Sequence, residues 1–437
     1  MAVDWHSLSA SEDDPNLEVV PASQASLKDK ATLVGRMGYS LLSVGTSAWR
    51  VRAAMNKIAR ALDITCNADI GLTTIELTCY DHTDLITAEM TLPTTGINTD
   101  KLHALDDLAD GFEERADKYS VQQFHRIFDK ITSLEPNYKP WQLGLASGSA
   151  CCAFTFLLGG GLIEMICAFF GAGIGNFVRK KMLEKHITLT ANVSIAVCVA
   201  CCVYVLSLSL LQRLLGITES HSAGYICSML FIIPGFPLIT GGLDLAKLEL
   251  RSGAERILYA VIIITTATIT GWITAVAFSY SPGDLPEPVL PPLVKLVCII
   301  AASFVGVFGF SMMFNSPPKM ALAAGLIGLT ANTLRMELLA FTSIQPVAAA
   351  FVGAMTAGLI ASAVRGTVGL PRITLTVPSI VIMVPGMFMY KAIYFMALSN
   401  TPDGLYWLTR AIFLVCSLPL GLVFSRILTD KNFRMNS

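Results

Sequence analysis

Four ionisable side chains, Glu164, Arg335, Glu337 and Lys391, fall within or beside long apolar stretches of this sequence. Ionisable groups inside a membrane usually pair with one another or carry ions and protons, so each is a candidate functional residue. Glu164 could pair with Arg335 or Lys391. The simpler alternative is that these side chains lie near the bilayer surface and extend into water. No His occurs in a predicted span, so a proton relay would use carboxylates, with Glu164 as first candidate.

Two Pro-Gly pairs interrupt apolar stretches at equivalent places, Pro234-Gly235 in the fourth stretch and Pro385-Gly386 in the ninth. Pro lacks a backbone donor and Gly disfavours helix, so each pair frees backbone groups that need partners in protein or water. Matched interruptions of this kind predict a substrate site where the two breaks face each other. The alternative is that each break is only a packing kink. Asn332 of the seventh stretch is a further substrate-binding candidate.

The polar N-terminal part offers one possible catalytic cluster, His82 with Asp81 and Asp84. A polar hairpin turn accounts for the same residues without any chemistry. The cysteine cluster at residues 198–202 has no His or carboxylate beside it, so no metal site is predicted. Nucleotide-binding fingerprints are also missing from the sequence, so we predict no cofactor and no ATP-driven step.

The composition sets the class of protein that must position these groups. The chain has 437 residues, of which 53% are hydrophobic and 14% charged, and its mean hydropathy is +0.60. Soluble domains carry about a quarter charged residues. The shortage of charged residues lies beyond residue 140, where ten apolar stretches are each long enough to cross a bilayer as a helix. A near-zero net charge gives no indication of nucleic-acid binding.

The predicted fold is a polytopic α-helical membrane protein with about ten transmembrane helices in two inverted five-helix repeats, preceded by a small α+β domain. Lys and Arg cluster in alternate connections, which predicts a multi-pass protein of the plasma (inner) membrane with both termini cytoplasmic. The predicted parts are a disordered tail at 1–30, a cytosolic domain at 31–138, and membrane halves at 141–280 and 291–428.

Hydrophobic periodicity outlines the cytosolic domain. Residues 33–62 have the period of one helix, and 64–80 alternate as strands do. A turn at residues 81–84 and a strand at 85–92 follow, and the domain ends in two helices, with Ser120 as the N-cap of the second. In the membrane half, small-residue spacings such as Gly171-x-x-x-Gly175 predict close helix packing.

Several motifs resemble those of the threonine/serine exporters, from about residue 35 to 428. The second break lies in a segment similar to that family's P-x-I-x-x-x-V-P-G-x-x-x-Y, which ends at Tyr390. The stretch from Leu158 to Ala168 resembles its G-G-x-x-[DE]-x-x-x-A motif, with Glu164 at the acidic position. The segments around Arg50 and Asn98 are similar to its cytosolic motifs, although Arg52 stands where the family commonly has an acidic residue.

This resemblance implies a secondary exporter of small hydroxy amino acids, threonine or serine, driven by the proton motive force. It adds Tyr390 to the substrate-binding candidates, and Arg50 and Asn98 as candidates in the cytosolic domain. Split relatives imply a dicarboxylate exporter of succinate-like substrates as the alternative. A membrane-bound hydrolase that uses the N-terminal domain is the alternative from another class. The expected partners are the substrate, protons and the lipid bilayer, and an oligomer is compatible with this interpretation.

Overall fold

The computed structural model describes residues 20–216, 221–280, 282–283, 285 and 288–434. Most of the predicted N-terminal tail therefore lies outside the described residues, as do parts of two predicted outer connections. The chain divides into two compact units, and each is described by itself below. One comprises the residues up to Pro136 with Leu243–Arg256, and the other comprises Asn137–Gly242 with the residues from Ile257 onward.

The first unit begins with α1, Leu27–Ser43, and α2, Ala48–Ala61. The prediction of one helix over 33–62 was wrong, because Gly45 has a φ of +84°. In that left-handed conformation the chain turns, and a Cβ at Gly45 would overlap the carbonyl oxygen of Gly96. α1 starts before the predicted domain boundary at residue 31, with the Ser26 side chain accepting from the backbone N–H of Asp29.

A three-stranded antiparallel sheet follows, in which β1, Thr65–Ile70, pairs with β2, Thr74–Tyr80, and β2 pairs with β3, Leu85–Thr91. Alternate residues of β1 and β2 are buried, as the sequence pattern predicted. The predicted turn at residues 81–84 joins β2 to β3. The sheet therefore has the hairpin that the Asp and Thr residues between its strands indicated.

The unit is completed by α3, Thr99–Asp110, a short α4, Glu113–Ala116, and α5, Val121–Thr132. The prediction of Ser120 as an N-cap is confirmed, because its side chain accepts from Gln123 N–H in a capping box. The apolar side of α5 is buried through Phe124 and Phe128, neither of which is exposed. This packing gives the unit its own hydrophobic core.

The segment Leu243–Arg256 also belongs to this unit, although the sequence placed it between two membrane spans. Within it, Arg256 Nε lies 3.2 Å from Asp244 Oδ2, and the two side chains are 2% and 0% exposed. Arg256 also donates to the carbonyl oxygens of Gly45 and Thr46, at 3.3 and 2.6 Å. This buried pair therefore ties the segment to the turn between α1 and α2.

We expect Asp244→Ala to lower the local stability of this unit by about 3 kcal/mol, because it leaves the Arg256 charge buried without its carboxylate. Hydrogen exchange of the α2 amides in the detergent-solubilised full chain measures this change. Glu184→Gln is the control, since its pair with Lys181 is half exposed and such pairs contribute about 1 kcal/mol or less. Unchanged exchange in Asp244→Ala would show that the pair does not hold the segment.

The second unit consists of long apolar helices. Three precede the first break: α6, Pro140–Leu157; α7, Leu162–Glu184; and α8, Leu189–Leu215. The first broken pair is α9, Tyr225–Ser228, which a 3₁₀ turn continues to Ile232, and α10, Gly235–Ala246. Four unbroken helices follow: α11, Leu250–Ala277; α12, Pro292–Met313; α13, Pro318–Phe341; and α14, Pro346–Val368. The second broken pair is α15, Arg372–Val381, and α16, Gly386–Ala397, followed by α17, Thr401–Thr429, and a short α18, Lys431–Arg434.

Among the described residues, six of these helices are long and apolar enough to span a membrane, and the two broken pairs raise the number to eight. Each of the ten predicted spans coincides with a helix or a broken pair. α6 and α13 are not among these eight candidate spans. α6 contains many Gly, Ala and Ser residues, and α13 carries Arg335 and Glu337. The fold is thus a polytopic helical membrane protein, and the count of ten spans stays a prediction.

Small residues bring the membrane helices close together. A Cβ at Gly171 would lie 2.8 Å from the carbonyl oxygen of Ala200, and one at Gly175 would lie 2.8 Å from Ala200 Cβ. Real side-chain atoms do not approach so closely, so α7 and α8 can only pack in this way with glycine at both positions. This confirms the packing role that the sequence spacing predicted.

Candidate functional site

The two Pro-Gly breaks contact each other. The helix axes bend by 54° at the first break and by 52° at the second. A Cβ at Gly235 would lie 3.0 Å from Val381 Cγ2, and one at Gly386 would lie 3.0 Å from Ile233 Cγ1. The prediction that the breaks face each other is therefore confirmed, whereas their part in binding substrate stays a prediction.

The broken helices also share a polar contact. The hydroxyls of Tyr225 in α9 and Tyr390 in α16 are 2.6 Å apart, and each residue is 1% exposed. The two rings meet edge to face with their centroids 5.9 Å apart. This hydrogen bond joins the first broken helix to the second, and no pattern in the sequence indicated Tyr225 as the partner of Tyr390.

A cavity lies at the second break. Its wall is formed by Ile382–Phe388, by one end of α6, by α13 and by α17, with about 460 Å³ of atom-free space inside and at its mouth. Of the predicted substrate-binding residues, Asn332, Pro385 and Gly386 line this cavity. Pro234, Gly235 and Tyr390 are not among the lining residues found in the described part of the chain.

Arg335 supplies a positive charge to the cavity wall. Its Nη1 donates to Asn332 Oδ1 at 3.2 Å, and Asn332 Nδ2 donates to Ser303 Oγ at 2.8 Å. The buried Nε of Arg335 has no hydrogen-bond partner among the described residues. A buried donor of this kind favours a ligand that accepts hydrogen bonds, and a carboxylate matches the guanidinium best.

The backbone at the second break adds polar groups to the same wall. Gly386 is the first residue of α16, and its N–H donates to the carbonyl oxygen of Val384 at 2.9 Å. The next N–H groups, of Met387 and Phe388, have no acceptor within that helix. Together with the helix dipole they attract an anion. Pro385 has no N–H, and the carbonyl oxygens of Ile380 and Val381 at the end of α15 accept from the N–H groups of Met383 and Val384 instead. A carbonyl oxygen has two lone pairs and can accept a second hydrogen bond. The cavity thus offers Arg335 and amide donors to a carboxylate, and carbonyl acceptors to an ammonium group.

Glu164 has a partner that the sequence did not indicate. Its Oε1 lies 2.6 Å from Nδ1 of His221, and the two side chains are 1% and 7% exposed. This partner differs from Arg335 and Lys391, the two with which the sequence suggested that Glu164 could pair. His221 was missed because it lies in a connection just before an apolar stretch and looks solvent-exposed in the sequence. Its contact with Glu164 on α7 buries it.

The other two intramembrane candidates lie apart from this pair. The ammonium group of Lys391 lies over the ring of Trp407, 4.6 Å from its centroid, and the side chain is 7% exposed. Glu337 is partly exposed. A cation over an indole ring is stabilised by the electrons of the ring, and this contact helps to hold Lys391.

The candidates of the cytosolic domain have structural partners. Asn98 is the N-cap of α3, and its Oδ1 accepts from the backbone N–H of Lys101 at 3.0 Å. Arg50 forms an ion pair with Asp106. Arg52 donates to both carboxylate oxygens of Glu249 at 2.7 Å, so the residue that departs from the family pattern binds the segment Leu243–Arg256.

The cluster around His82 is a turn. The Asp81 carboxylate accepts from the backbone N–H groups of Thr83 and Asp84. These hydrogen bonds, with that from the Thr83 hydroxyl, hold the pKa of Asp81 below its usual range. The geometry supports the simpler prediction of a polar hairpin turn, in which Asp81 stabilises the backbone.

Paired broken helices, a polar cavity at a break and buried ionisable groups in a helical membrane unit define a membrane transporter of small molecules. Two family models match this sequence, both described as threonine/serine exporters, one over residues 32–279 and the second over residues 299–428. The chain belongs to the threonine/serine exporter family. It is therefore an exporter and not an enzyme, which excludes the membrane-bound hydrolase.

Individual relatives support the same family. The probable threonine/serine exporter of Mycobacterium tuberculosis is 23% identical over 412 residues, which cover 90% of this chain and 75% of the relative. The probable succinate transporter subunit YjjP of Klebsiella aerogenes is 25% identical over 236 residues, covering 54% of this chain and 88% of the relative. YjjP of Escherichia coli K12 is 24% identical over 240 residues, or 54% of this chain and 90% of the relative. No solved structure matches the chain.

Proposed function

We propose that this protein exports threonine, serine or a similar small zwitterionic amino acid by secondary active transport, driven by protons. The observation that carries the proposal is the cavity at the second break, whose wall combines Arg335, the first residues of α16 and the segment 382–385 that joins α15 to α16. A zwitterion needs donors for its carboxylate and acceptors for its ammonium group. Both are supplied here beside a single guanidinium.

The alternative is a dicarboxylate, and the relatives named as succinate transporter subunits favour it. A dicarboxylate carries two negative charges, whereas Arg335 is the one charged side chain in the described wall of the cavity. Leaving a second carboxylate in a low-dielectric site without a cation is costly. The charge of the cavity therefore favours the amino acid.

In this proposal both termini are cytoplasmic, so that α6 begins inside and the connections before α7 and before α9 lie outside. The basic residues Arg179, Lys180 and Lys181 at the end of α7 and the Arg365 at the end of α14 support this orientation. Glu164 and His221 then lie toward the outer surface. The lipid bilayer surrounds exposed apolar side chains such as Leu214 and Ile273, which are 71% and 62% exposed.

Counterflow in proteoliposomes tests the substrate. Vesicles containing the purified protein and loaded with unlabelled L-threonine are expected to take up labelled L-threonine, and external L-serine should compete with it. External succinate should not compete, because the cavity lacks a second cation. Uptake of labelled succinate into succinate-loaded vesicles, without any exchange of threonine or serine, would assign the dicarboxylate instead.

A further inference from the structure

We propose that Glu164 and His221 form the proton-binding site of this exporter, and that the site opens and closes with the first broken helix. The inference rests on the proposed proton-driven export and adds the residues that carry the proton. It starts from a buried carboxylate–imidazole pair, 2.6 Å apart, that the substrate cavity does not include.

Each side chain of the pair has a second polar atom that the contact between Oε1 and Nδ1 does not use. Oε2 of Glu164 and Nε2 of His221 are buried and have no hydrogen-bond partner among the described residues. Buried polar atoms are nearly always satisfied, so two unpartnered atoms on one pair need an explanation. Transient access of water to these two atoms supplies it, because water is the donor and acceptor from which a proton is exchanged.

The charge of the pair depends on its proton. The pair is neutral overall when Nε2 of the imidazole carries a hydrogen and a second proton is shared between Oε1 and Nδ1, either as an ion pair or as two neutral groups. Without it, Glu164 is a lone buried anion beside a neutral imidazole, which a dry membrane interior strongly disfavours. The closed arrangement seen here therefore requires the proton, whereas the unprotonated pair requires water.

This difference gives an obligatory order of events. When the pair is open to outside water, a proton from that water binds to it, and no other bond is made or broken. The neutral pair can then be closed off. When the pair meets water on the inner side, the same proton returns to water, and the charged pair stays hydrated until it is protonated again. Without substrate, only the protonated form passes through the dry state. The return to the outside is made by the hydrated, unprotonated pair with threonine bound, so that each cycle moves one proton inward and one threonine outward.

The titratable side chains around the pair are less suited than the pair itself to bind and release a proton. Among the described residues, the other titratable side chains that interact with Glu164 are Cys167 on α7, Tyr204 on α8 and Cys227 on α9, and Tyr280 after α11 lies near Tyr204. Thiols and phenols are ordinarily uncharged at neutral pH. The pair, by contrast, joins a carboxylate to an imidazole, the ordinary exchanger of protons among side chains, at 2.6 Å.

The position of His221 connects the site to the broken helices. His221 precedes α9 by four residues, and its carbonyl oxygen accepts from the hydroxyl of Tyr204 at 2.7 Å. A Cβ at Gly224 would lie 2.8 Å from Glu164 Cγ, so the start of α9 is pressed against α7. α9 also carries Tyr225, whose hydroxyl contacts Tyr390 on α16. Movement of α9 would therefore separate His221 from Glu164 and disturb the helix that begins at the cavity.

The test uses the full chain in proteoliposomes with Glu164→Gln and His221→Gln. An inward-directed pH gradient should drive net export of L-threonine by the wild type with uptake of protons, measured with a pH-sensitive dye. Both variants are expected to lose gradient-driven transport down to the level seen without a gradient, while threonine–threonine exchange persists and shows that they fold. Glu184→Gln on the same helix and His82→Gln in the exposed turn are matched controls and should behave as wild type.

A second readout does not depend on the substrate. Infrared difference spectra of the purified protein between low and high pH should contain a carboxyl band that Glu164→Gln removes and Glu184→Gln keeps. Gradient-driven transport in Glu164→Gln, or an unchanged carboxyl band, would overturn this proposal. Failure of the wild type to move threonine or serine would instead count against the proposed function, and the infrared result would still decide whether Glu164 exchanges a proton.

Discussion

Replacing Gly386 by Leu is expected to abolish export of L-threonine, while the protein still inserts into the membrane. A Cβ at Gly386 would lie 2.9 Å from Leu230 Cδ2 and 3.0 Å from Ile233 Cγ1, so any larger side chain must push the two breaks apart. Overpacking of this kind costs about 1–3 kcal/mol. Gly386 itself lies in the cavity wall, so export measured in proteoliposomes should fall to the level of empty vesicles.

The same reasoning applies to Gly235→Leu, where a Cβ would lie 3.0 Å from Val381 Cγ2 and 3.3 Å from Val384 Cγ2. Gly366→Leu is the matched control, because no atom lies within 4 Å of a Cβ built at that helical glycine. Leu favours helix more than Gly does, so the control should insert and transport normally. Wild-type export by both break variants would show that the Pro-Gly pairs are packing kinks.

Arg335→Gln is expected to weaken binding of L-threonine by about 2 kcal/mol or more, which is about thirtyfold in apparent affinity. The substitution keeps a side chain of similar length and polarity but removes the charge that faces the substrate carboxylate. The KM for threonine exchange should rise accordingly. Arg335→Lys should give an intermediate KM, because it keeps the charge and loses the two-pronged geometry of the guanidinium.

Arg410→Gln serves as the control for this experiment. Arg410 is exposed on α17, with its guanidinium over the ring of Tyr406, and it is not part of the cavity wall. Its loss should leave the KM for threonine unchanged. If Arg335→Gln also left the KM unchanged, the carboxylate would have to bind elsewhere, and the assignment of the cavity as the substrate site would be wrong.

Much of the architecture follows from local rules that act along the sequence. Ten apolar stretches appear as helices or broken helix pairs, because a membrane-spanning segment must satisfy its own backbone hydrogen bonds. Ser120 caps its helix and residues 81–84 turn, since these features depend on neighbours only a few residues away. The single long helix predicted over 33–62 failed at Gly45, where a tertiary contact with Gly96 selects a left-handed conformation.

The sequence also located one side of the site. It singled out both Pro-Gly breaks because Pro and Gly have fixed backbone consequences wherever they occur. It named Asn332 and Arg335 because polar groups stand out in an apolar helix. The sequence could not place Asn332 and Arg335 in one cavity with the second break, because α13 and that break are about forty residues apart in the sequence and meet only through packing.

Only the tertiary structure could pair side chains from different helices. Glu164 was visible as an ionisable residue, but its partner His221 lies 57 positions away in a connection that reads as solvent-exposed. Asp244 and Arg256 read as the ends of membrane spans, yet they close onto the turn between α1 and α2. Sequence patterns report the polarity and period of one segment at a time, whereas these pairs are decided by which segments burial brings together.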